Sequence, residues 1–210
     1  MVLKGGNALR LIYGLGSRSS LDIDVSIEED FADVDDIRRR LSEALTNRFR
    51  LASLHVFDLS FEPRPSTQIP GEEWGGYQLK FKLIELTTRT RLRGDLEQIR
   101  RNAKVVGSSQ QRIFTVDFSR YEYCASKREV EVDSFSVFVY TPAMIAIEKL
   151  RAICQQMEAY QKRKNRQPRA RDFYDVHLIS GEGKTDLTSH ENRELIRPVF
   201  TAKAVPVSLL

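Results

Sequence analysis

The segment Leu21-Asp22-Ile23-Asp24-Val25-Ser26-Ile27 alternates apolar and polar residues with a period of two, the pattern of a half-buried β-strand. Asp22 and Asp24 then emerge on one face, two residues apart. Carboxylates at this spacing repel each other, and each resists burial unless a cation or a hydrogen-bond donor compensates it. A divalent cation supplies such compensation, and Mg²⁺ is typically held by one or two carboxylates together with phosphate oxygens of a substrate. The same dipeptide pattern also occurs on exposed strand edges that bind nothing, so the pair alone leaves both readings open. Just upstream, Gly16-Ser17 forms a small-residue turn whose backbone N–H groups and hydroxyl suit phosphates, with Ser20 as a second hydroxyl. An ordinary tight turn has the same composition.

Around this strand the pattern reads as a mixture of helices and strands. A glycine pair at Gly5-Gly6 leads into Ala8, Leu9, Ile12 and Tyr13 at helical spacing, stopped by Gly14, Gly16 and Ser17. Asp30, Asp33, Asp35 and Asp36 crowd the start of an amphipathic helix whose apolar stripe is Ile37, Leu41, Ala44, Leu45 and Phe49. Strands are expected over 54–61, 77–86 and 112–118, and one or two more over 130–140. An arginine-rich helix is expected over 87–104, weakened at Gly94 by about 1 kcal/mol relative to alanine. Thr141 and Pro142 open a further helix carrying Ile145, Ile147, Leu150, Ile153, Cys154 and Met157. Another is expected over 169–179, stopped by Ser180-Gly181, and after Gly183 the signals fade toward Pro198 and Pro206, which suggests an irregular tail.

Composition excludes several classes. At 41% apolar and 30% charged residues the 210-residue chain has the balance of a globular protein. It has no apolar run of the roughly 20 residues that span a bilayer. The N-terminus has no secretory signature, which leads us to expect a cytoplasmic protein. Cys124 and Cys154 lack zinc-ligand spacing and read as buried or idle thiols. His55, His177 and His190 show no metal-ligand spacing, and neither a nucleophile elbow nor a P-loop is present. The net charge of +4 is modest but uneven. Its densest basic run is Lys162-Arg163-Lys164-Asn165-Arg166-Gln167-Pro168-Arg169-Ala170-Arg171, either a solvated loop or a platform for phosphates.

Together, Lys4-Gly5-Gly6 with Leu9, Arg10 and Tyr13, then Arg18, Ser20, Asp22, Ile23 and Asp24, resemble the opening of the AbiEii/AbiGii-type nucleotidyltransferase toxins of the DNA polymerase β-like superfamily. Farther along, Glu148-Lys149-Leu150-Arg151-Ala152 looks like the family's helical lysine motif, and Arg169-Ala170-Arg171-Asp172-Phe173-Tyr174-Asp175 like its Arg-Asp-x-x-Asp motif. The resemblance implies an α+β fold, a nucleotidyltransferase-type mixed sheet with flanking helices followed by a mainly helical C-terminal part. We expect a catalytic core over 1–140 and a helical region over 141–210 that contributes Lys149 and Asp172. It also implies transfer of a nucleotide from an NTP, with two Mg²⁺ (or Mn²⁺) ions, within a toxin–antitoxin or abortive-infection system that supplies an antitoxin partner. The acceptor it suggests is RNA, plausibly a tRNA end, gripped by the basic run that ends at Arg171. Rival readings are transfer to a protein hydroxyl and a nucleotide- or protein-binding member without turnover.

Residue roles follow from the same resemblance. Gly16, Ser17 and Ser20 would hold nucleotide phosphates, Asp22 and Asp24 the metal, and Lys149 the phosphate charge. The bland fate of Lys149 is a solvated helical lysine. Asp172 and Asp175 share a helix face; one would orient Lys149 or an arginine, and the alternative is a salt-bridge network with Arg169 and Arg171. The superfamily adds a third carboxylate on a neighbouring strand. Asp117 is our choice, because an acid within Ile113-Phe114-Thr115-Val116-Asp117-Phe118 needs a compensating partner; Asp58 and Glu85 compete, with outward-facing alternation as their plain explanation. The chain departs from the family pattern by starting almost at Lys4, where relatives carry a preceding helix, and a shortened chain or a misassigned start is the expectation.

Overall fold

A computed structural model of the protein describes residues 1–16, 22–66, 75–107, 110–162 and 165–210. Among these residues seven strands form one mixed sheet: β1 (Val2–Lys4), β2 (Ile23–Ser26), β3 (Leu54–Arg64), β4 (Gly76–Glu85), β5 (Phe114–Ser119), β6 (Arg128–Val132) and β7 (Phe135–Val139), in the order β3-β4-β5-β2-β1-β7-β6. Eight α-helices among the described residues accompany it: α1 (Gly5–Leu11), α2 (Val34–Leu51), α3 (Leu86–Arg91), α4 (Leu96–Arg101), α5 (Pro142–Cys154), α6 (Ala170–Gly181), α7 (His190–Glu194) and α8 (Ile196–Thr201). Strand β2 is parallel to β5 and antiparallel to β1, whereas β3, β4 and β5 run antiparallel in sequence. The expected α+β arrangement of mixed sheet, flanking helices and helical C-terminal part is the one found.

Helix α2 forms for the reasons visible in its sequence. Asp33 caps it by accepting the Asp36 amide at 2.9 Å, and Asp35 and Asp36 place negative charge at its N-terminus. Ile37, Leu41, Leu45 and Phe49 then pack against Val56, Phe61, Tyr77, Leu79, Phe81, Leu83 and Phe118 of the sheet. Ala44 does not join them; it is exposed. Alternation along β4 turns Tyr77, Leu79, Phe81 and Leu83 into this core, and so presents Gln78, Lys80 and Lys82 on the opposite sheet face.

Three expectations are corrected and one is made definite. The first helix is preceded by a strand, β1, whose three residues are too short a run for alternation to reveal. The arginine-rich stretch is two helices, because Arg93 and Gly94 adopt φ +49° and +85° and interrupt the helix that Gly94 was expected only to weaken. The one or two strands expected over 130–140 are two, β6 and β7, joined as a hairpin in which both turn residues, Asp133 and Ser134, take positive φ, as a two-residue type I′ turn requires. The segment after Gly183 is not irregular: Pro198 sits in the first turn of α8, where a missing N–H costs nothing. Val199, Phe200 and Val205 are buried with Ile147, Cys154 and Tyr160 in a core of their own.

The competing carboxylates Asp58 and Glu85 are held by surface cations. Asp58, at φ +47° where β3 and β4 slip register, pairs with Arg100 at 2.8 Å and Lys82 at 2.9 Å. The hydrogen bond from Arg100, with help from Lys82, holds its carboxyl at about 2 despite partial burial. Glu85 pairs with Lys104 at 2.5 Å. Asp58→Asn is expected to cost less than about 1 kcal/mol, because exposed pairs contribute little and asparagine tolerates positive φ. A denaturation curve of the variant beside the native protein checks this.

Candidate active site

Asp24 and Asp117 lie directly opposite each other on the parallel strands β2 and β5, and Gln78 faces Asp117 from β4. Asp117 Oδ1 accepts from Gln78 Nε2 at 2.8 Å and from Arg64 Nη1 at 3.1 Å. Asp22 lies one residue before β2 and is exposed; its backbone carbonyl accepts Asn7 Nδ2 at 2.8 Å, tying the approach to the strand onto α1. Ile23, expected to point inward, is 42% exposed, so the inward alternation of this segment begins only at Val25.

Asp24 is the electrostatically strained member. Burial, with added repulsion from Glu148 and Asp117, raises its pKa to about 6 even though Lys4 and Lys149 attract the charged form. Its carboxylate rests against Gly5: a Cβ built there would stand 2.4 Å from Asp24 Oδ2, and Gly5 has φ +71°. The glycine following Lys4 is therefore required twice, by backbone conformation and by room for the carboxylate. Gly5→Ala is expected to cost about 1–2 kcal/mol from backbone strain alone, and to reduce transfer at least tenfold by displacing Asp24. A melting curve and an activity assay on the same preparation would show it; native activity with a lowered Tm would mean that the carboxylate tolerates displacement.

Lys149, on α5, reaches Asp172 at 3.0 Å and Asp175 at 2.7 Å on α6, with Arg169 3.2 Å from Asp172. Burial by itself would push the Lys149 ammonium pKa down, but Asp175 and Asp172 more than offset it and the pKa is raised. Lys149 is thus no solvated surface lysine. Two of its three N–H donors engage aspartates, leaving one for a ligand. Both aspartates, rather than one, orient it.

A buried ionic network that the sequence did not announce adjoins this site. Lys4 Nζ reaches Glu148 at 2.5 Å and Glu122 at 3.3 Å; Arg151 reaches Glu122 at 3.3 Å and Glu148 at 3.4 Å; Lys203 lies 3.6 Å from Glu122. Burial would raise the Glu122 carboxyl, but Lys4, Arg151 and Lys203 hold it down at about 2. Lys4, Glu148 and Arg151 belong to the motifs singled out above, although nothing there assigned them partners. Glu122 and Lys203 stand in no motif, and only an ion pairing across more than eighty residues makes sense of them.

Gly16 adopts φ +79° against Leu178 of α6, so the turn approaches the helix that orients Lys149. Ser17 and Ser20, expected to bind phosphates, lie outside the described residues, as do Arg163 and Lys164 of the basic run. Lys162, Arg166 and Arg171 of that run are exposed.

A family model described as nucleotidyl transferase AbiEii toxin, type IV TA system, matches residues 1–210. The chain belongs to the AbiEii family. It is accordingly a nucleotidyltransferase of a toxin–antitoxin family, as the separated motifs led us to expect. None of the curated proteins matches it. Among solved structures, a nucleotidyltransferase candidate from H. pylori is 16% identical, with TM-score 0.44, over 100% of this chain and 76% of that one. JHP933 from Helicobacter pylori is 15% identical, with TM-score 0.44, over 96% and 71%. An antigenic nucleotidyltransferase-like protein from Paracoccidioides brasiliensis is 17% identical, with TM-score 0.40, over 97% and 80%. The assignment rests on the family match along the whole chain, not on these distant likenesses. No helix among the described residues is long and apolar enough to cross a membrane.

Nucleotidyltransferases generally use divalent metals, and the donor set here suits one. Among the described residues no three His, Cys, Asp or Glu side chains converge as a ready-made cage. A Mg²⁺ site completed by substrate phosphates and water does not need one. The opposed carboxylates of Asp24 and Asp117 supply hard oxygen donors, and the raised pKa of Asp24 reports negative charge that its neighbours leave undercompensated.

Proposed function

We propose that this AbiEii-family protein transfers a nucleotide from an NTP to an RNA hydroxyl, plausibly at a tRNA end, with Asp22, Asp24 and Asp117 as the metal-binding carboxylates. The opposition of Asp24 and Asp117 on parallel neighbouring strands, with Asp24 raised to about 6, carries this reading. Mg²⁺ or Mn²⁺, when bound, would supply charge stabilisation at the α-phosphoryl group and the departing pyrophosphate. The acceptor hydroxyl attacks the α-phosphorus, a new P–O bond forms and pyrophosphate leaves. Both donors to Asp117 among the described residues bind Oδ1, which leaves Oδ2 to take the hydroxyl proton. Lys149, held by Asp172 and Asp175, directs its remaining N–H at the nucleotide phosphates, while Gly16, Ser17 and Ser20 cradle them. Residues 1–140 act as the catalytic core and 141–210 as the helical region that brings Lys149 and Asp172. A cognate antitoxin is the protein partner, the basic run from Lys162 contributes to the RNA grip, and the protein works in the cytoplasm.

Incubation with each α-labelled NTP, bulk tRNA and Mg²⁺ tests the proposal. Label on RNA, lost in Asp22→Ala, is the expected result. Label on protein alone would replace it with transfer to a protein hydroxyl. NTP binding without any label would leave a binding protein, and undiminished RNA labelling by Asp22→Ala would overturn the metal assignment.

A further inference from the structure

We infer that the sheet face bearing Asp117, Gln78, Lys80 and Lys82, continued by the arginines of α3 and α4, is the track on which the nucleic-acid acceptor lies; this rests on the RNA-acceptor reading above. Helix α2 covers the other face of β3, β4 and β5 with an apolar core. On the opposite face Gln78 and Thr115 are only half-buried and Lys80 is exposed, so among the described residues no helix layer seals it beside Asp117. An antiparallel sheet leaves a face to water readily, but this one has a charge gradient and ends at the proposed catalytic carboxylates.

Lys80 has no carboxylate at ion-pair distance among the described residues. Two residues farther on, Lys82 is joined by Arg100 of α4; both reach Asp58, and Arg100 also lies 3.7 Å from Glu97. Past the end of β4, Arg89, Arg91, Arg93 and Arg101 are exposed and likewise have no ion-pair partner among the described residues. Residues 85–104 carry six arginines and lysines against three acids, a net of +3 in a chain whose total is +4. The acids of this region are Glu62, which stands opposite Gln78, Glu85, paired with Lys104, Glu97, paired with Arg100, and Asp95, which caps α4 by accepting the Gln98 amide.

Length decides between a single phosphate and a polymer. Gln78 is level with Asp117 and Asp24, and seven residues of strand separate it from Glu85, about 23 Å at ~3.3 Å per residue. A row of cations spread over that distance exceeds one nucleotide and matches a strand whose terminal hydroxyl reaches Asp24 and Asp117 while its backbone phosphates meet Lys80 and then the arginines. A solvated charge run is the ordinary alternative. The face is open beside Asp117 and is closed by burial of Ile84, Ile99 and Ala103 toward the end of β4; the unpaired Lys80 on its open part and the exposed arginines beyond favour the track, since phosphate contacts by Lys and Arg position a nucleic acid without reading its sequence.

The quintuple variant K80A/R89A/R91A/R93A/R101A, with its fold checked by circular dichroism, tests this by anisotropy with bulk tRNA and a labelled single-stranded RNA oligonucleotide over a range of salt. The expected result is at least a tenfold loss of affinity, with the slope of log K against log salt shallower by about three, and unchanged NTP·Mg²⁺ affinity by calorimetry. Native tRNA affinity and native slope in the variant would overturn it, as would a native protein that binds NTP but neither RNA. The two readings fail separately. Label on RNA from a variant that binds tRNA like the native chain removes the track and leaves the acceptor. Absence of RNA labelling while these five residues still hold tRNA removes the acceptor reading, and with it the track as an acceptor site, and leaves an RNA-binding face.

Discussion

Asp24→Asn should lower nucleotide transfer about a thousandfold, equivalent to ~4 kcal/mol of lost transition-state stabilisation, while making the metal-free protein more stable. The two effects have one cause. Asp24 has its folded-state carboxyl raised to about 6 by burial, Glu148 and Asp117, against 3.8 ordinarily. For an acid shifted upward, the folded state holds its proton more tightly than the unfolded chain, so stability falls as pH rises from about 4 to about 6 and is level above that. The ionised group then costs the fold about 3 kcal/mol near pH 7, which the isosteric amide avoids. Below about pH 4 the native and variant proteins should converge. Under the proposed metal assignment Mg²⁺ would bind the ionised form, so it should raise the Tm of the native protein above pH 6 and leave the variant almost unmoved. Thermal melts with and without Mg²⁺ at pH 4, 5.5 and 7.5 test this. A variant less stable than native at pH 7.5 without metal would mean that Asp24 is a satisfied structural carboxylate, not a ligand held in readiness.

What the sequence disclosed and what it concealed divide along physical lines. Local signals were legible: the Asp33 cap and apolar stripe of α2, and Thr141 with Pro142 opening α5, where Thr141 Oγ accepts the Met144 amide at 3.2 Å. Each is written within a few residues of chain. Alternation indicated the strands but could not order them; that Asp117 faces Asp24 depends on β5 joining the far side of β2, a pairing across 93 positions. Alternation also misjudged Ile23, since the start of a short strand is not packed on both sides. The α7 and α8 helices, five and six residues long, have no periodicity to detect; α8 is held by burying Val199 and Phe200 against α5, and α7 is capped by Ser189, whose hydroxyl accepts the Asn192 amide at 3.3 Å. The ionic network was invisible for a similar reason: a buried Glu looks like a surface Glu until the fold brings its cations to it.

Glu122→Gln should be the most destabilising polar substitution in this chain, at about 3–5 kcal/mol and roughly 10 °C in Tm for a domain of this size. Glu122 is the acid shared by Lys4, Arg151 and Lys203, its side chain being 4% exposed. Removing its charge leaves three buried cations with Glu148, and with Asp24 near Lys4, as the acids that still compensate them, and none of the three is exposed to water. Lys203 is already under pressure, its pKa lowered to about 8 by burial despite Glu122. The sign with pH follows from Glu122 being held at about 2 against 4.5 ordinarily. Here the unfolded chain binds the proton more tightly, so the stabilisation is present above about pH 4.5 and is lost as pH falls toward 2. Native stability in urea should therefore decline over that window and the variant's should not. Because Glu122 gains stability with rising pH below 4.5 and Asp24 loses it from about 4 to 6, the metal-free protein should be most stable near pH 4.5, and Asp24→Asn should shift that maximum upward. Adding Lys203→Met to Glu122→Gln should restore part of the loss by withdrawing one uncompensated cation. A double variant no more stable than Glu122→Gln would show that Lys4 and Arg151 alone set the cost, and a Glu122→Gln protein within 1 kcal/mol of native would mean that the network does not hold β1, α5 and the segment after α8 together.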